Sequence, residues 1–120
     1  MPKKVMIVDD SRTVRQQVTA ALDGYQVLEA VDGVDALEQL AGCRDLELMI
    51  CDVSMPRLNG IDLLVRLREL GRANLLVLML TTEGQPALIA RAKELGAKGW
   101  IVKPFKPEML LATVRKLVER

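Results

Sequence analysis

The sequence predicts an α/β domain, a parallel sheet with helices on both faces, and three observations carry that reading. Short apolar runs alternate with segments of helical period along all 120 residues. Several of the runs are apolar enough to be buried on both faces, as strands of a parallel sheet are. No linker, low-complexity tract or internal repeat breaks the alternation. Right-handed crossovers between parallel strands then place each helix on a face of the sheet.

The elements follow in order. Lys4 to Val8 is an unbroken apolar run after its first residue and forms the first strand, and an Asp10/Ser11 cap opens a helix near Ser11. Gln26 to Ala30 forms the second strand, with a helix from near Gly33 that is followed by Gly42. Leu46 to Cys51 forms the third, and the helix from near Gly60 is closed by Gly71. Leu75 to Leu80 forms the fourth. Its helix starts near Gly84, places Leu88, Ala92 and Leu95 on one face, and is closed by Gly96. Gly99 to Val102 is the fifth strand, and a helix from Pro107 aligns Leu110, Val114 and Leu117. Lys106 stands at the start of that helix, where Asp, Ser or Thr would cap better.

Composition limits what such a domain does. A chain of 120 residues is long enough to bury a core without disulfides or metals, so residues 1–120 are expected as one domain with no output domain attached. Seventeen basic against 16 acidic residues, net +1, together with 2% aromatic content, argue against nucleic-acid binding. There is no secretory signal and no run of about 20 apolar residues to span a membrane. Cys43 and Cys51 are the only cysteines, and Cys51 lies inside an apolar run as a small core residue, so a reduced, cytoplasmic chain is expected. The chain has no histidine. That excludes histidine triads, histidine metal ligands and a histidine phosphocarrier within it.

The polar residues that interrupt the apolar pattern share one location. Asp9 and Asp10 follow the first strand, Asp52 the third, Thr81 the fourth and Lys103 the fifth. All are at carboxyl ends, the edge where open α/β sheets bind ligands. Three carboxylates within about 4 to 6 Å repel by on the order of 4 kcal/mol per pair at an effective dielectric near 20. A hard divalent cation with oxygen ligands offsets that repulsion, and Mg²⁺ suits a site without His or Cys. Asp52 faces both the acid pair and Lys103, so it is the candidate nucleophile toward phosphorus, with Thr81 donating a hydrogen bond to the phosphoryl oxygens. Each residue also has a plainer role: Asp10/Ser11 and Thr81 as helix caps, Lys103 as a loop lysine, Arg12 and Arg15 as a solvated helix face. The constellation, rather than any member of it, favours the chemistry.

The segments "VMIVDDSR", "MICDVSMPRLNGIDLL", "LMLTTE" and "GAKGWIVKPF" resemble the signature segments of a two-component response regulator receiver domain, and the likeness covers the whole chain. It implies a flavodoxin-like (βα)5 fold with strand order 2-1-3-4-5. It also implies that Asp52 is the phosphoacceptor, Asp10 the direct Mg²⁺ ligand, Asp9 a ligand acting mainly through water, and Ser54 a ligand through its backbone carbonyl. Thr81 and Lys103 would contact the phosphoryl group, Trp100 would be the switch aromatic working with Thr81, and Lys103-Pro104 would be a cis peptide. "DDSRTVRQ", "TTEG" and "GWIVKPFKPEMLLATVRKL" are most similar to the stand-alone chemotaxis regulators.

The resemblance implies a signalling phosphoacceptor that catalyses only its own phosphorylation and dephosphorylation. Its partners would be a histidine kinase, a flagellar motor switch protein or similar target, and a phosphatase, with the domain itself a monomer. The alternative is a stand-alone receiver in a non-motility phosphorelay, pilus or biofilm pathway. Several residues depart from the family: Trp100 replaces the commoner Tyr or Phe, Thr82 stands where Ala is frequent, and Ser54 and Glu83 sit where receivers vary. A haloacid-dehalogenase-type phosphatase would need an Asp-x-Asp motif, and Asp52 is followed by Val53 and Ser54.

Overall fold

The apolar runs form five parallel strands in one sheet, and the periodic segments between them form five helices. The structure is a computed structural model and describes every residue except Met1, Ser54, Pro56, Ala73, Glu83 to Gln85 and Arg120. In chain order the elements are β1 (Lys4–Val8), α1 (Arg12–Ala21), β2 (Gln26–Ala30), α2 (Gly33–Ala41), β3 (Leu46–Asp52), α3 (Gly60–Glu69), β4 (Leu76–Thr81), α4 (Pro86–Glu94), β5 (Gly99–Val102) and α5 (Pro107–Val118). The strand order is β2-β1-β3-β4-β5, as the resemblance implied.

Strand period distributes the core over the two faces. From the central strands, Met6, Val8, Met49, Cys51, Val77 and Met79 point to one side, where α2, α3 and α4 contribute Leu40, Leu63, Leu67 and Ala92. The alternate residues Val5, Ile7, Leu48, Ile50, Leu78 and Leu80 point to the other, against Val18 and Leu22 of the α1 segment and Leu110 and Val114 of α5. On α5 the buried stripe is Leu110, Val114 and Val118, with Leu117 only half-buried beside it. α1, α2, α3 and α5 start close to their expected positions. The caps are Ser11 (bonded by the Val14 N–H), Asp32 (by Asp35 N–H) and Asn59 (by Asp62 N–H), each of which satisfies a first-turn donor. Lys106 makes no side-chain cap bond, as expected. The expected start of α4 at Gly84 lies outside the described residues, and the helix is described from Pro86.

Two strands run one residue further than expected, and this bears on the site. β3 includes Asp52 and β4 runs from Leu76 to Thr81, so both polar residues are held in the sheet ladder itself rather than in the loops beyond it. Paired residues at that edge are Val8 with Cys51, Asp52 with Leu80, and Thr81 with Val102. The chain then turns sharply into α3, where Gly60 packs against the end of β3. A Cβ at Gly60 would come within 2.5 Å of the Asp52 carbonyl oxygen and 2.9 Å of Met79 Cε. Backbone on one side leaves little room to give. Gly60→Ala is therefore expected to lower stability by about 1–3 kcal/mol, the usual cost of overpacking, read as a reduced urea midpoint at unchanged slope.

Candidate functional site

The crevice of the sheet lies between β1 and β3, where the connection from β1 runs to β2 on one side and that from β3 to β4 on the other. Backbone pairing continues one residue past the strands there. Asp9 N–H donates to Ala30 O at 3.1 Å, Val53 N–H to Leu80 O at 3.2 Å, and Lys103 N–H to Thr81 O at 2.6 Å. These bonds fix the positions from which Asp9, Asp52, Thr81 and Lys103 project. Asp9, Asp52 and Thr81 are buried, whereas Asp10 is exposed.

The three carboxylates converge: one oxygen from each of Asp9, Asp10 and Asp52 lies within 4.8 Å of the other two. Lys103 reaches into the group, with Nζ at 3.0 Å from Asp9 Oδ2 and 3.2 Å from Asp52 Oδ2. The other oxygen of Asp9 accepts the Ser11 N–H at 2.8 Å. The Lys103–Pro104 peptide bond is cis, in agreement with the resemblance. Burial alone would favour its neutral amine, but the hydrogen bond to Asp9 and the charges of Asp52 and Asp9 outweigh it and hold the ammonium above its ordinary value. One ammonium against three carboxylates leaves net negative charge, and the donor set is all oxygen. A hard divalent cation fits it.

Lys103→Met removes the one ammonium bonded to both buried acids, and breaking such a pair costs about 3 kcal/mol. In wild type the Lys103 contribution is complete below the ordinary lysine value of 10.5 and is lost as pH rises through the raised folded value. The difference between variant and wild type should be constant at neutral pH and should narrow above pH 10.5, as urea melts across that range would measure.

Other expectations fare differently. Thr81 is buried at the end of β4, and Trp100, on β5, is half-buried against the α3 and α4 side of the core. The Trp100 indole Nε1 is buried with no hydrogen-bond partner among the described residues. Ser54 and Glu83 lie outside the described residues. Cys51 is buried in the core, and its thiol is pushed up first by burial and then by the charges of Asp52 and Asp9, so it is inert. Arg12 is exposed, but Arg15 corrects the expectation of a solvated face. Its side chain is 13% exposed, with Nε at 2.9 Å from Glu29 Oε1 and Nη1 donating to the Asp9 carbonyl at 2.8 Å. Helical period on α1 shows which residues share a stripe but not that β2 supplies a carboxylate beside it. Asp32 and Arg57, which also pair near the site, were not singled out from sequence.

The arrangement is also that of a known family. A model of the response regulator receiver domain matches residues 5–115. The chain belongs to that family. Among curated relatives it is similar to the chemotaxis protein CheY1 of Helicobacter pylori, 40% identical over 89% of this chain and 90% of that protein. It is likewise similar to the response regulator MprA of a Mycobacterium species, 38% identical over 100% of this chain but only 52% of that longer protein. Among solved structures, the chemotaxis response regulator CheY4 of Vibrio cholerae superposes with a TM-score of 0.89 at 39% identity, covering 98% of this chain and 99% of that one. The receiver domain is thus a signalling module of two-component systems. Among the described residues no helix is long and apolar enough to cross a membrane.

Proposed function

We propose that this receiver accepts a phosphoryl group on Asp52 from a phosphohistidine of a histidine kinase, with Mg²⁺ bound by Asp9, Asp10 and Asp52, and that it signals by altered protein binding. The observation that carries the reading is the buried Asp52 carboxylate held at 3.2 Å from Lys103 and beside two further acids. An Asp52 oxygen attacks phosphorus as the bond from phosphorus to the imidazole nitrogen breaks, and the imidazole leaves with its electron pair. Lys103 lies where it can balance charge on the phosphoryl oxygens, and Thr81 donates a hydrogen bond to one of them. Mg²⁺, when bound, neutralises the acids and the phosphoryl oxygens. The backbone carbonyl of Ser54 is retained as a further metal ligand on the resemblance. The only reactions catalysed are phosphorylation and dephosphorylation of the domain itself, in the cytoplasm and as a monomer.

Output leaves through the face formed by α4, β5 and α5, the strand β5 carrying Trp100. Val102 at 45% and Met109 at 50% exposure offer apolar contacts there to a target such as a flagellar motor switch protein. A phosphatase would reset the signal. The likeness to the chemotaxis proteins of Helicobacter and Vibrio favours a chemotaxis pathway. The near-equal identity to MprA, a response regulator whose name does not specify chemotaxis, keeps open a second reading, a receiver in a non-motility phosphorelay, pilus or biofilm pathway. Recovery of a motor protein or of another target by the phosphorylated domain separates the two.

Acetyl phosphate with Mg²⁺ tests the chemistry: one phosphoryl group per chain is expected, stable to acid and labile to base and hydroxylamine. No uptake overturns it. Millimolar Mg²⁺ should also raise the melting temperature through linkage, and Asp10→Ala should lose that rise. The metal-free Asp10→Ala domain should melt above metal-free wild type, because like-charge repulsion is relieved. Equal Mg²⁺ shifts in both proteins would exclude Asp10 as a ligand.

A further inference from the structure

The turn that continues from Asp52 into α3 is fastened to a different part of the chain, the turn between β2 and α2. Arg57 adopts a left-handed backbone, φ 58°, which non-glycine residues rarely hold without compensation. Its guanidinium faces Asp32, with Nε at 2.6 Å from Oδ2 and Nη2 at 3.2 Å from Oδ1, a two-point fork. The Asp32 carboxylate is buried, and Oδ1 also accepts the Asp35 N–H at 2.8 Å as the cap of α2. Among the described residues Arg57 is the only cation paired with it.

Backbone contacts reinforce the fork. Gly33 N–H donates to Leu58 O at 3.2 Å, and a Cβ at Gly33 would come within 2.5 Å of that oxygen, so the two turns touch backbone to backbone. The Gly60 N–H bonded to Val53 O at 3.0 Å closes the turn on itself. Among the described residues of the segment leaving Asp52, Gly60 is held to Val53, and Arg57 and Leu58 are held to the turn between β2 and α2.

We propose that Arg57 is a positioning residue: the Arg57–Asp32 fork pre-orders the β3–α3 turn for Mg²⁺ binding at the acid cluster, although neither residue belongs to the cluster. The inference rests on the Mg²⁺ reading above. Groups that orient metal ligands without touching the ion themselves alter metal affinity by about 10–100-fold when removed. The strained φ of Arg57 makes release of the fork a specific event, since the turn then loses the contact that offsets its backbone conformation.

Arg57→Gln and Asp32→Asn each break the fork, and Asn at position 32 keeps the α2 cap, being as good a cap as Asp. Each single variant, and the double variant, would be titrated with MgCl₂ alone by calorimetry. Amide exchange at Gly33 and Asp35 would be followed in the metal-free proteins. Each single variant is expected to bind Mg²⁺ about 10-fold more weakly, and the double variant no more weakly than either, because one interaction is lost in all three. The Gly33 amide should exchange faster in every variant while the Asp35 amide of Asp32→Asn is unchanged, and Arg57→Lys should recover part of the affinity. Variants that bind Mg²⁺ as wild type does would overturn the clamp alone. So would losses that add in the double variant, or Gly33 and Asp35 amides opening together. A wild type that binds no Mg²⁺ overturns the metal reading and the clamp with it.

Discussion

Asp52→Asn is expected to take up no phosphoryl group from acetyl phosphate at any Mg²⁺ concentration, whereas wild type is expected to take up one per chain. The amide nearly matches the carboxylate in shape, so β3 and its pairing with Leu80 should persist. What is lost is the nucleophile: a neutral amide offers phosphorus no anionic oxygen. Lys103 keeps Asp9 at 3.0 Å, so the substitution does not strand the ammonium, and one charge is removed from a crowded acid cluster. Metal-free Asp52→Asn should consequently melt at or above wild type, which separates loss of chemistry from loss of fold. Label that persists in the variant, or that survives base and hydroxylamine as a serine or threonine phosphate does, would rule out Asp52 as the acceptor.

Phosphorylation, or beryllofluoride as its mimic, is expected to raise the affinity of a target for the Trp100 side of the domain by about 5 to 150-fold, the range of a coupling of 1–3 kcal/mol. Trp100 gives this a physical basis. Its indole N–H is buried without a partner among the described residues, and an unmade buried hydrogen bond costs about 1–3 kcal/mol. A second ring position that satisfies this N–H would compete with the one seen here. Thr81 is the proposed trigger. It closes β4, directly paired with Val102 two residues beyond Trp100, and movement of its hydroxyl toward the phosphoryl group would vacate space for the ring. Trp100 is the only tryptophan, so its emission reports this site alone. Emission and target affinity should change together in wild type, and Thr81→Ala should uncouple both from beryllofluoride. By linkage a bound target should strengthen beryllofluoride binding by the same factor. A mimic that binds without altering either quantity, or a Thr81→Ala protein that keeps the coupling, would exclude this route.

The five strands and five helices were legible because their signals are local: apolar runs of strand length, stripes at helical spacing, and glycines where helices stop. The same patterning placed Asp9, Asp10, Asp52, Thr81 and Lys103 at carboxyl ends of strands, which sufficed to name a candidate site. The strand order was anticipated only through the family resemblance, since periodicity does not say which strand lies beside which. The one-residue extension of β3 and the one-residue shift of β4 were missed because a polar residue ending an apolar run looks like loop, while backbone pairing with the neighbouring strand keeps Asp52 and Thr81 in the ladder.

The pairings that make the site belong to tertiary structure. Lys103 meets Asp9 across 94 positions of sequence, Arg57 meets Asp32 across 25, and Arg15 meets Glu29 across 14. Local rules extend about one helical turn or one strand pair, so on sequence alone Arg15 is one more charge on a helix surface and Arg57 one more charge in a loop. By itself the sequence determined which residues stand at the functional edge, because side-chain period and helix capping are properties of short segments. Which of them touch was decided only when strand order and register brought distant ends together, because a charge acts on whatever lies within a few ångströms of it rather than on what lies near it in the chain.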